Sequence, residues 1–441
     1  MTATAAASPM RTQSARRFAP VRDGLAMFTF ATLLVFVVCG PFMSYKPQPF
    51  TGEGSPLRQI GYLLTLALAL VAIRPVLRPD RLLALPLSMT LVFAWCWLSL
   101  SWALDPDIAL RRLMLTTIFT WTMFVLIAQI NTVRAMTVLR WVMVVTLLAN
   151  FVAVFAVPGV GTHQVSDAMD RTLAGAWRGI LLQKNFAGAM CAFTVMAFLF
   201  DAKKIPAVAR LVVITGALVF LYFSQSKTSA GILAFAIIAA TLYLRYNPAY
   251  RVLLIPVALV TVVAGFILAQ VYWLELTAPL NDKSAFTGRT QIWPPLLAYS
   301  RDHLMLGSGY GSFWNIGYGV GPIFRYTKGW VVDYATQGHN GYIDMLITIG
   351  LPGLIMTVIA TLVIPLVRLL SSRTIGRGQG ALLIAMLLFC AGHNLTESSL
   401  LDRDVIVEAF LVFTIATIFT ATQNGSRRRG SGASAVPQGA S

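Results

Sequence analysis

Three basic side chains lie where apolar runs meet polar segments, and cations at such boundaries face a cavity, an anionic ligand or lipid head groups. Arg178 and Lys184 flank Gly179 at the start of one run, and Lys227 lies in the polar break at 224–229 between two others. Residues six apart on an unbroken helix point in different directions, so Arg178 and Lys184 share a site only if the chain turns near Gly179. Snorkelling of Lys184 and an ordinary polar hairpin around Lys227 are the alternatives.

Arg289 and His339 lie in a long segment, 274–340, that separates two apolar runs. A guanidinium group binds two phosphate oxygens at once and stays charged at physiological pH, which suits a diphosphate leaving group. A neutral imidazole can take the proton of an attacking sugar hydroxyl. A solvated arginine and a buried, hydrogen-bonded histidine are the commoner roles of these residue types. The place of His339, beside Asn340 at the start of an apolar run, favours a general base or an acceptor-binding group.

Further polar residues accompany these candidates. Asn185 follows Lys184 directly, and Glu397 lies four residues after His393 at the end of another apolar run. Side chains four apart lie on one helix face, so His393 and Glu397 could hydrogen-bond to each other. The sequence leaves open whether this pair relays a proton, clamps the structure or does neither.

The sequence shows no pattern typical of a metal site. Clustered carboxylates, or His and Cys at the spacings that hold Mg²⁺, Mn²⁺ or Zn²⁺, are missing from it. The nearest candidate, Asp105 with Asp107, is interpreted as a turn. The four cysteines all lie inside apolar runs and are interpreted as small buried side chains.

The chain that carries these residues has the composition of a membrane protein. Of its 441 residues, 57% are hydrophobic and 12% are charged, and the mean hydropathy is +0.72. Each crossing takes roughly 20 apolar residues as a helix, since backbone amides cannot stay unpaired in hydrocarbon. The sequence therefore predicts an all-α polytopic integral membrane protein with about twelve transmembrane helices. The predicted spans are 24–43, 57–73, 82–102, 113–130, 136–157, 180–200, 207–224, 229–245, 252–273, 341–367, 380–396 and 404–421.

The distribution of charge predicts the orientation of these spans. The formal net charge is +17, and the short loops on one side are dense in Lys and Arg, which predicts that both termini are cytoplasmic. Because the basic residues lie mostly between apolar runs, a nucleic-acid partner is set aside. Residues 1–23 and 422–441 are predicted to be disordered cytoplasmic tails around a membrane domain at 24–421. The segment 274–340, rich in glycine and aromatic residues, is predicted to be an ordered outer (periplasmic) loop with short helices.

The order of five motifs resembles the O-antigen ligase and polymerase superfamily, especially ExoQ-like exopolysaccharide polymerases. The motifs are Trp177-Arg178-Gly179 with Lys184-Asn185 and Gly188, Ser224-Gln225-Ser226-Lys227-Thr228-Ser229, Gly288-Arg289-Thr290-Gln291-Ile292-Trp293, the glycine and aromatic run at 307–314, and Gly338-His339-Asn340-Gly341-Tyr342. Many relatives have a histidine directly before the Lys-Asn pair of the first motif. This chain has Gln183 there, so no role of a histidine is carried over to that position.

The resemblance implies a GT-C-like glycosyltransferase whose donor is a sugar chain on undecaprenyl diphosphate and which needs no metal, nucleotide or other cofactor. It implies that Arg178 and Arg289 hold the diphosphate, that Lys184 and Lys227 contribute more weakly, and that His339 is the catalytic base. Inversion at the anomeric carbon by single displacement is expected. The supporting candidates are the neighbouring polar residues Asn185, Asn340, His393 and Glu397.

Two other functions remain open at this point. A polymerase transfers the chain to a second lipid-linked repeat, whereas a ligase transfers it to a lipid A core or another acceptor, and the similarity to exopolysaccharide enzymes favours the polymerase. A transporter or flippase could also have twelve spans, but transporters commonly show repeated halves and carboxylates near the midplane. Glu408 is interpreted as the one plausible acid inside a span.

The resemblance also implies a location and partners. The expected location is the bacterial inner membrane, with the chemistry on its outer face. The expected partners are the undecaprenyl-diphosphate-linked oligosaccharide, the sugar acceptor, membrane lipids, and chain-length and export proteins of a polysaccharide pathway.

Overall fold

A computed structural model describes residues 19–43, 55–165, 173–253, 291–317, 319–329, 331–332, 335–402 and 405–433. Within these ranges the protein is all-α. Its longer helices are α1 (Ala19–Met43), α2 (Pro56–Ile73), α3 (Leu87–Leu98), α4 (Pro106–Ile130), α5 (Thr132–Ala156), α6 (Lys184–Leu199), α7 (Ala207–Ser224), α8 (Lys227–Arg245), α9 (Trp293–Asp302), α10 (Gly341–Ser371), α11 (Arg377–His393) and α12 (Ile406–Ala433).

Seven of the described helices are long and apolar enough to cross a membrane, and three shorter apolar segments accompany them. The seven are α2, α4, α5, α7, α8, α10 and α12. The prediction of an all-α polytopic membrane protein is confirmed. Helices coincide with eleven of the twelve predicted spans, whereas the span at 252–273 lies almost entirely outside the described residues. The number of twelve crossings stays a prediction.

The helices pack around α6 and α12, whose apolar side chains fill the centre of the bundle. The ring of Phe193 on α6 stacks on Phe410 of α12 at 3.9 Å and meets the edge of Phe389 on α11 at 5.6 Å. All three rings are almost fully buried. Helices α2, α7 and α8 instead expose most of their apolar length, as expected for surfaces that contact lipid. The residues at the start of α6 therefore belong to a helix that packs against other helices on several sides.

Two helix ends differ from the predicted domain boundaries. Helix α1 begins at Ala19, inside the predicted tail 1–23, and α12 continues to Ala433, inside the predicted tail 422–441. The physical reason is the cooperativity of helices: once a segment is helical, each further residue adds a backbone hydrogen bond at a small entropic cost. Nothing else in the described part of the chain tests the two tails.

Residues 291–340 form a cap over one end of the helices, which is called the loop end below. The cap contains α9, a short helix at Ile323–Tyr326 and many turns. Its interior is apolar and includes Tyr299, whose ring centre lies 5.0 Å from that of Phe313. Burial, followed by the nearby Tyr326, raises the pKa of Tyr299 to about 12, so its hydroxyl stays neutral. The part of the predicted outer loop at 274–290 lies outside the described residues.

The cap is attached to the helices at a break in α10. Gly350 has φ +71°, and a Cβ there would lie 2.2 Å from the carbonyl oxygen of Met305 in the cap. The indole of Trp95 donates to the carbonyl of Ile349 at 2.9 Å, and the amide of Leu351 donates to Leu304 at 2.8 Å. The backbone groups released by the break are thereby bonded to other segments, as hydrocarbon requires.

The opposite end of the bundle holds arginines that the charge pattern assigns to the cytoplasmic side. Arg134 pairs with Asp23 at 2.6 Å, and Arg140 donates to the carbonyls of Ala197 and Phe200. The predicted site residues all lie elsewhere, at the loop end or outside the described ranges. The sidedness of the protein stays a prediction.

Candidate functional site

The carboxylate of Glu397 joins three segments that are far apart in sequence. One oxygen, Oε1, accepts a hydrogen bond from the amide of Asn185, the second residue of α6, at 2.7 Å. The other, Oε2, lies 3.2 Å from Nδ1 of His339 in the cap. Glu397 itself follows α11 and its side chain is only 5% exposed. Three of the sequence candidates therefore form one hydrogen-bonded group.

His339 is held in a backbone conformation that is unusual for its residue type. Its φ is +50°, in the left-handed region, which costs a non-glycine residue roughly 1–2 kcal/mol. The next residue, Asn340, caps α10 by accepting from the amides of Tyr342 and Ile343 at 3.1 Å. The amide of Asn340 also donates to the hydroxyl of Ser398. These contacts fix the turn, and a strained backbone that is fixed from both sides is typical of functional positions.

The surroundings of His339 define which ring nitrogen is available for chemistry. Because a carboxylate only accepts, the contact with Glu397 requires a hydrogen on Nδ1, and the lone pair of the neutral ring then lies on Nε2. The side chain of His339 is 28% exposed, far more than that of Glu397. The side-chain nitrogen of Gln337 lies 3.3 Å from Nδ1. The pair thus has the arrangement of a general base that is oriented by a buried carboxylate.

Asn185 also connects this pair to the start of α8. Its side-chain oxygen lies 3.3 Å from the hydroxyl of Ser226, and that hydroxyl lies 3.0 Å from the hydroxyl of Ser229. The two helices approach closely because Gly188 faces Ser226, where a Cβ would lie 2.5 Å from the serine Cβ. Asn185 of the first motif and Ser226 of the second motif therefore meet at one place.

Two lysines mark the beginnings of these helices. Lys184 is the first residue of α6 and Lys227 the first residue of α8, and the N-cap residues of these helices, Gln183 and Ser226, make no side-chain cap. The ammonium of Lys184 lies 3.4 Å from the carbonyl of Gln225, and the side chain of Lys227 is exposed. Helix N-termini carry a partial positive charge, so the two lysines add to a potential that favours anions.

The place of Lys184 corrects the predicted span 180–200. The helix begins only at Lys184, because the chain turns at Gly179, whose φ is +64°. The cation is therefore at the mouth of the bundle and not inside a span. The turn that Arg178 and Lys184 would need in order to share a face is present.

The guanidinium of Arg178 contacts an earlier segment of the chain. Its side chain is buried, and it donates to the carbonyl of Val160 at 2.9 Å and to that of Gly159 at 3.5 Å. These contacts connect Arg178 to the short helix Pro158–Gly161, and its role as a ligand of the diphosphate stays a prediction. Arg289 lies outside the described residues, so its predicted role rests on the motif alone.

His393 lies next to the hydrogen-bonded group of Asn185, Glu397 and His339 and is not one of its three members. It is the last residue of α11, is buried, and its ring lies 5.6 Å from that of Phe389. The backbone amide of Glu397 donates to the carbonyl of His393 at 2.9 Å. The carboxylate of Glu397 reaches the site through Asn185 and His339, which belong to other segments.

Sequence reasoning missed His163, which lies at the first motif. Its Nε2 accepts from the backbone amide of Lys184 at 3.2 Å, and its side chain is almost fully buried. A histidine thus stands beside the Lys-Asn pair after all, although it comes from an earlier segment and not from position 183. Only its occurrence in the long polar stretch at 158–179 could have drawn attention to it.

Asp344 was also missed, and it corrects the interpretation of Glu408 as the one acid within a span. Asp344 lies in the first turn of α10, inside the predicted span 341–367, and is buried. Its carboxylate accepts from the indole of Trp314 at 2.9 Å and from the amide of Gly338 at 3.0 Å. An acid in the first turn of a helix is favoured by the helix dipole and these donors, which is why it is tolerated there.

Comparison with known proteins agrees with the motifs. The model of a protein family described as O-antigen ligase matches residues 211–358. This segment includes Lys227, His339 and Asp344, whereas Asn185 and Glu397 lie outside it. A comparison with curated proteins finds no match. The family match implies a polymerase-type or ligase-type function in polysaccharide synthesis, with lipid-linked polysaccharide as the substrate class.

Proposed function

We propose that this protein of the O-antigen ligase and polymerase superfamily polymerises undecaprenyl-diphosphate-linked oligosaccharide repeats into a surface exopolysaccharide. The observation that carries the proposal is the pair of His339 and Glu397. The imidazole is accessible, its Nδ1 is engaged by a buried carboxylate, and its Nε2 is left to accept a proton.

The reaction needs a base for the acceptor and cations for the leaving group. His339 Nε2 takes the proton of an acceptor hydroxyl as that oxygen attacks the anomeric carbon. The bond between this carbon and the diphosphate oxygen breaks, and the electron pair leaves with the diphosphate. Glu397 stabilises the imidazolium that forms, as a carboxylate does when it orients a histidine base. A single displacement of this kind inverts the anomeric carbon.

Lys184 and Lys227 support the proposed place of the diphosphate. Both begin helices at the loop end, and α6 also carries Asn185, which binds Glu397. Two cations near two helix N-termini stabilise the negative charge that develops on the departing phosphate. Arg289, from the third motif, is proposed as a further ligand of the diphosphate.

A ligase is the second candidate, because the matching family is described as O-antigen ligase. Polymerase and ligase share the donor and the base and differ in the acceptor, which is a second lipid-linked repeat or a fixed molecule such as a lipid A core. The similarity of the motifs to ExoQ-like enzymes favours the polymerase.

The proposal includes a location. We place the protein in the bacterial inner membrane with both termini cytoplasmic and the loop end on the outer face, in line with the basic opposite end. Chain-length and export proteins of a polysaccharide pathway are the proposed partners.

The test is complementation of a chromosomal deletion with His339→Ala at matched membrane levels. His303→Ala is the control, since His303 is an exposed histidine of the same cap. We expect the control to restore long polymer and His339→Ala to leave single repeats on the lipid. Long lipid-linked polymer that stays unattached would establish the ligase instead. Normal polymer in His339→Ala would overturn the proposed base.

A further inference from the structure

A cavity of about 290 Å³ lies at the loop end beside the pair of His339 and Glu397. The cap forms one wall with Phe313, Trp314 and Asn315, and the start of α10 and the segment after α11 form the other with Asp344 and Ser398. Ligand pockets span roughly 300–1,000 Å³, so this cavity has room for one small ring and not for an oligosaccharide.

One wall of the cavity is an aromatic ring in a fixed orientation. The indole nitrogen of Trp314 donates to Asp344 at 2.9 Å, and the ring meets Phe313 edge-on at 4.9 Å. Trp314 is only partly buried, whereas Phe313 is almost fully buried. An aromatic face that is fixed before binding offers contact area at little entropic cost. The ring that such a face suits has one apolar side and hydroxyls at its edge, as a pyranose has.

Polar atoms surround this ring. The side-chain oxygen of Asn315 is buried at the wall and has no hydrogen-bond partner within the described part of the chain. Asn315 itself is held at φ +54° and donates to the carbonyl of Thr336 at 3.5 Å. The hydroxyl of Ser398 accepts from the backbone amide of Asn340 and hydrogen-bonds to the carboxylate of Asp344, so it is already engaged. The unused acceptor of Asn315 at a polar wall calls for a ligand that brings a donor, as a sugar hydroxyl does.

The cavity reaches the proposed base through Gln337. This residue lines the cavity, and its side-chain nitrogen lies 3.3 Å from Nδ1 of His339. Ser398, on the other wall, follows Glu397 in sequence. One side chain therefore separates the cavity from the imidazole.

We propose that this cavity binds the terminal sugar ring of the acceptor and presents its hydroxyl to His339. This inference rests on the proposed function, and it identifies the acceptor subsite by residues that the motifs do not include.

Charged groups of both signs line the cavity. Asp344 and Asp402 contribute carboxylates, and Arg112 contributes a guanidinium that donates to the carbonyls of Trp314 at 2.8 Å and Asn315 at 3.1 Å. The lining is therefore polar on the sides that face away from the ring of Phe313.

The probe for this subsite is the repeat oligosaccharide released by mild acid from the lipid-linked repeats of the deletion strain. It keeps its terminal non-reducing ring and lacks the diphosphate. Saturation-transfer NMR with the full protein in detergent shows which of its protons touch the protein. We expect the strongest signals from the terminal ring, and we expect them in His339→Ala as well.

Thr336→Trp is the test variant and Val320→Trp its control. Both residues are exposed in the cap, but only Thr336 lines the cavity. The proposal requires that Thr336→Trp weakens binding of the oligosaccharide at least about tenfold, which is about 1.4 kcal/mol, while Val320→Trp binds like wild type.

The outcomes separate this inference from the proposed function. Equal saturation of all rings, or unchanged binding in Thr336→Trp, overturns the subsite even if His339→Ala abolishes polymer in cells. Normal polymer in His339→Ala overturns the proposed base even if the oligosaccharide binds the cavity.

Discussion

The side-chain amide of Asn185 donates to Glu397 Oε1 at 2.7 Å, and the two residues lie 212 positions apart in sequence. The carboxylate of Glu397 orients His339, and this bond attaches that carboxylate to α6, the helix packed at the centre of the bundle. The base is therefore positioned by the core of the protein and not only by the cap in which it lies.

Asn185→Ala should lower both stability and activity. The substitution removes the donor to a nearly buried carboxylate and the acceptor of Ser226, and an unsatisfied group of this kind costs about 1–3 kcal/mol. Thermal unfolding in detergent and polymer synthesis at matched protein levels measure the two effects. Asn247→Ala, at an exposed asparagine of the opposite end, is the control. Equal stability of both variants would show that the bond from Asn185 contributes nothing to the fold.

Glu397→Gln should reduce turnover and leave the fold intact. Glutamine keeps the shape and can still accept from Asn185, but it carries no charge to stabilise an imidazolium. General acid–base catalysis contributes about 10²–10⁴-fold, so we expect a loss of about 100-fold or more in polymer formation by membranes supplied with lipid-linked repeats. Asp302→Asn, which removes an exposed carboxylate of the cap that binds Tyr326, should keep near wild-type rates. A rate within twofold of wild type would remove Glu397 from the mechanism.

The sequence predicts the helices of this protein better than its site. Apolar runs alone place α7 at 207–224, the range that the structure shows, because a helix in hydrocarbon is fixed by local composition. The contacts of Glu397 cannot be found in this way. Its i, i+4 neighbour His393 is the natural candidate for a partner, yet Asn185 and His339 reach it from two other segments. Contacts between distant segments depend on packing, which one sequence does not reveal.

The positions of Asp344 and Lys184 relative to the spans are two further features that the sequence predicts wrongly. Hydropathy averages over a window, so it extended a span over Lys184 and passed over an acid in the first turn of α10. The turn at Gly179 and the donors Trp314 and Gly338 explain both errors. Motif order is more informative, since it places Asn185 and His339 in one predicted site, and both residues contact Glu397 in the structure.

Gly188→Ala should separate α6 from α8. A Cβ at Gly188 would lie 2.5 Å from that of Ser226, closer than real contacts allow, so the helices must move apart and the bond from Ser226 to Asn185 must lengthen. We expect a lower unfolding temperature and reduced polymer. Gly231→Ala on α8 has open space around its Cβ and should be neutral, or more stable by up to about 1 kcal/mol because alanine favours helices. Equal behaviour of the two variants would contradict the close approach of α6 and α8.

The substitutions Arg178→Lys and Lys227→Gln should have different effects. The buried guanidinium of Arg178 is engaged by the carbonyls of Val160 and Gly159, so Arg178→Lys should lower the free energy of unfolding by about 1–3 kcal/mol. The exposed ammonium of Lys227, at the start of α8, is instead available to the donor. Lys227→Gln should therefore raise the KM for the lipid-linked donor about tenfold without changing the unfolding temperature.

The measurement that separates the two roles is donor-dependent kinetics in membranes, combined with thermal unfolding of each purified variant. Lys328→Gln, at an exposed lysine of the cap, controls for general loss of positive charge at the loop end and should leave both quantities unchanged. If Arg178→Lys raised the donor KM with full stability, its guanidinium would have to leave the carbonyls of Val160 and Gly159 to bind the diphosphate. Arg178 would then have no purely structural role, and the motif's implication of a diphosphate ligand would be correct.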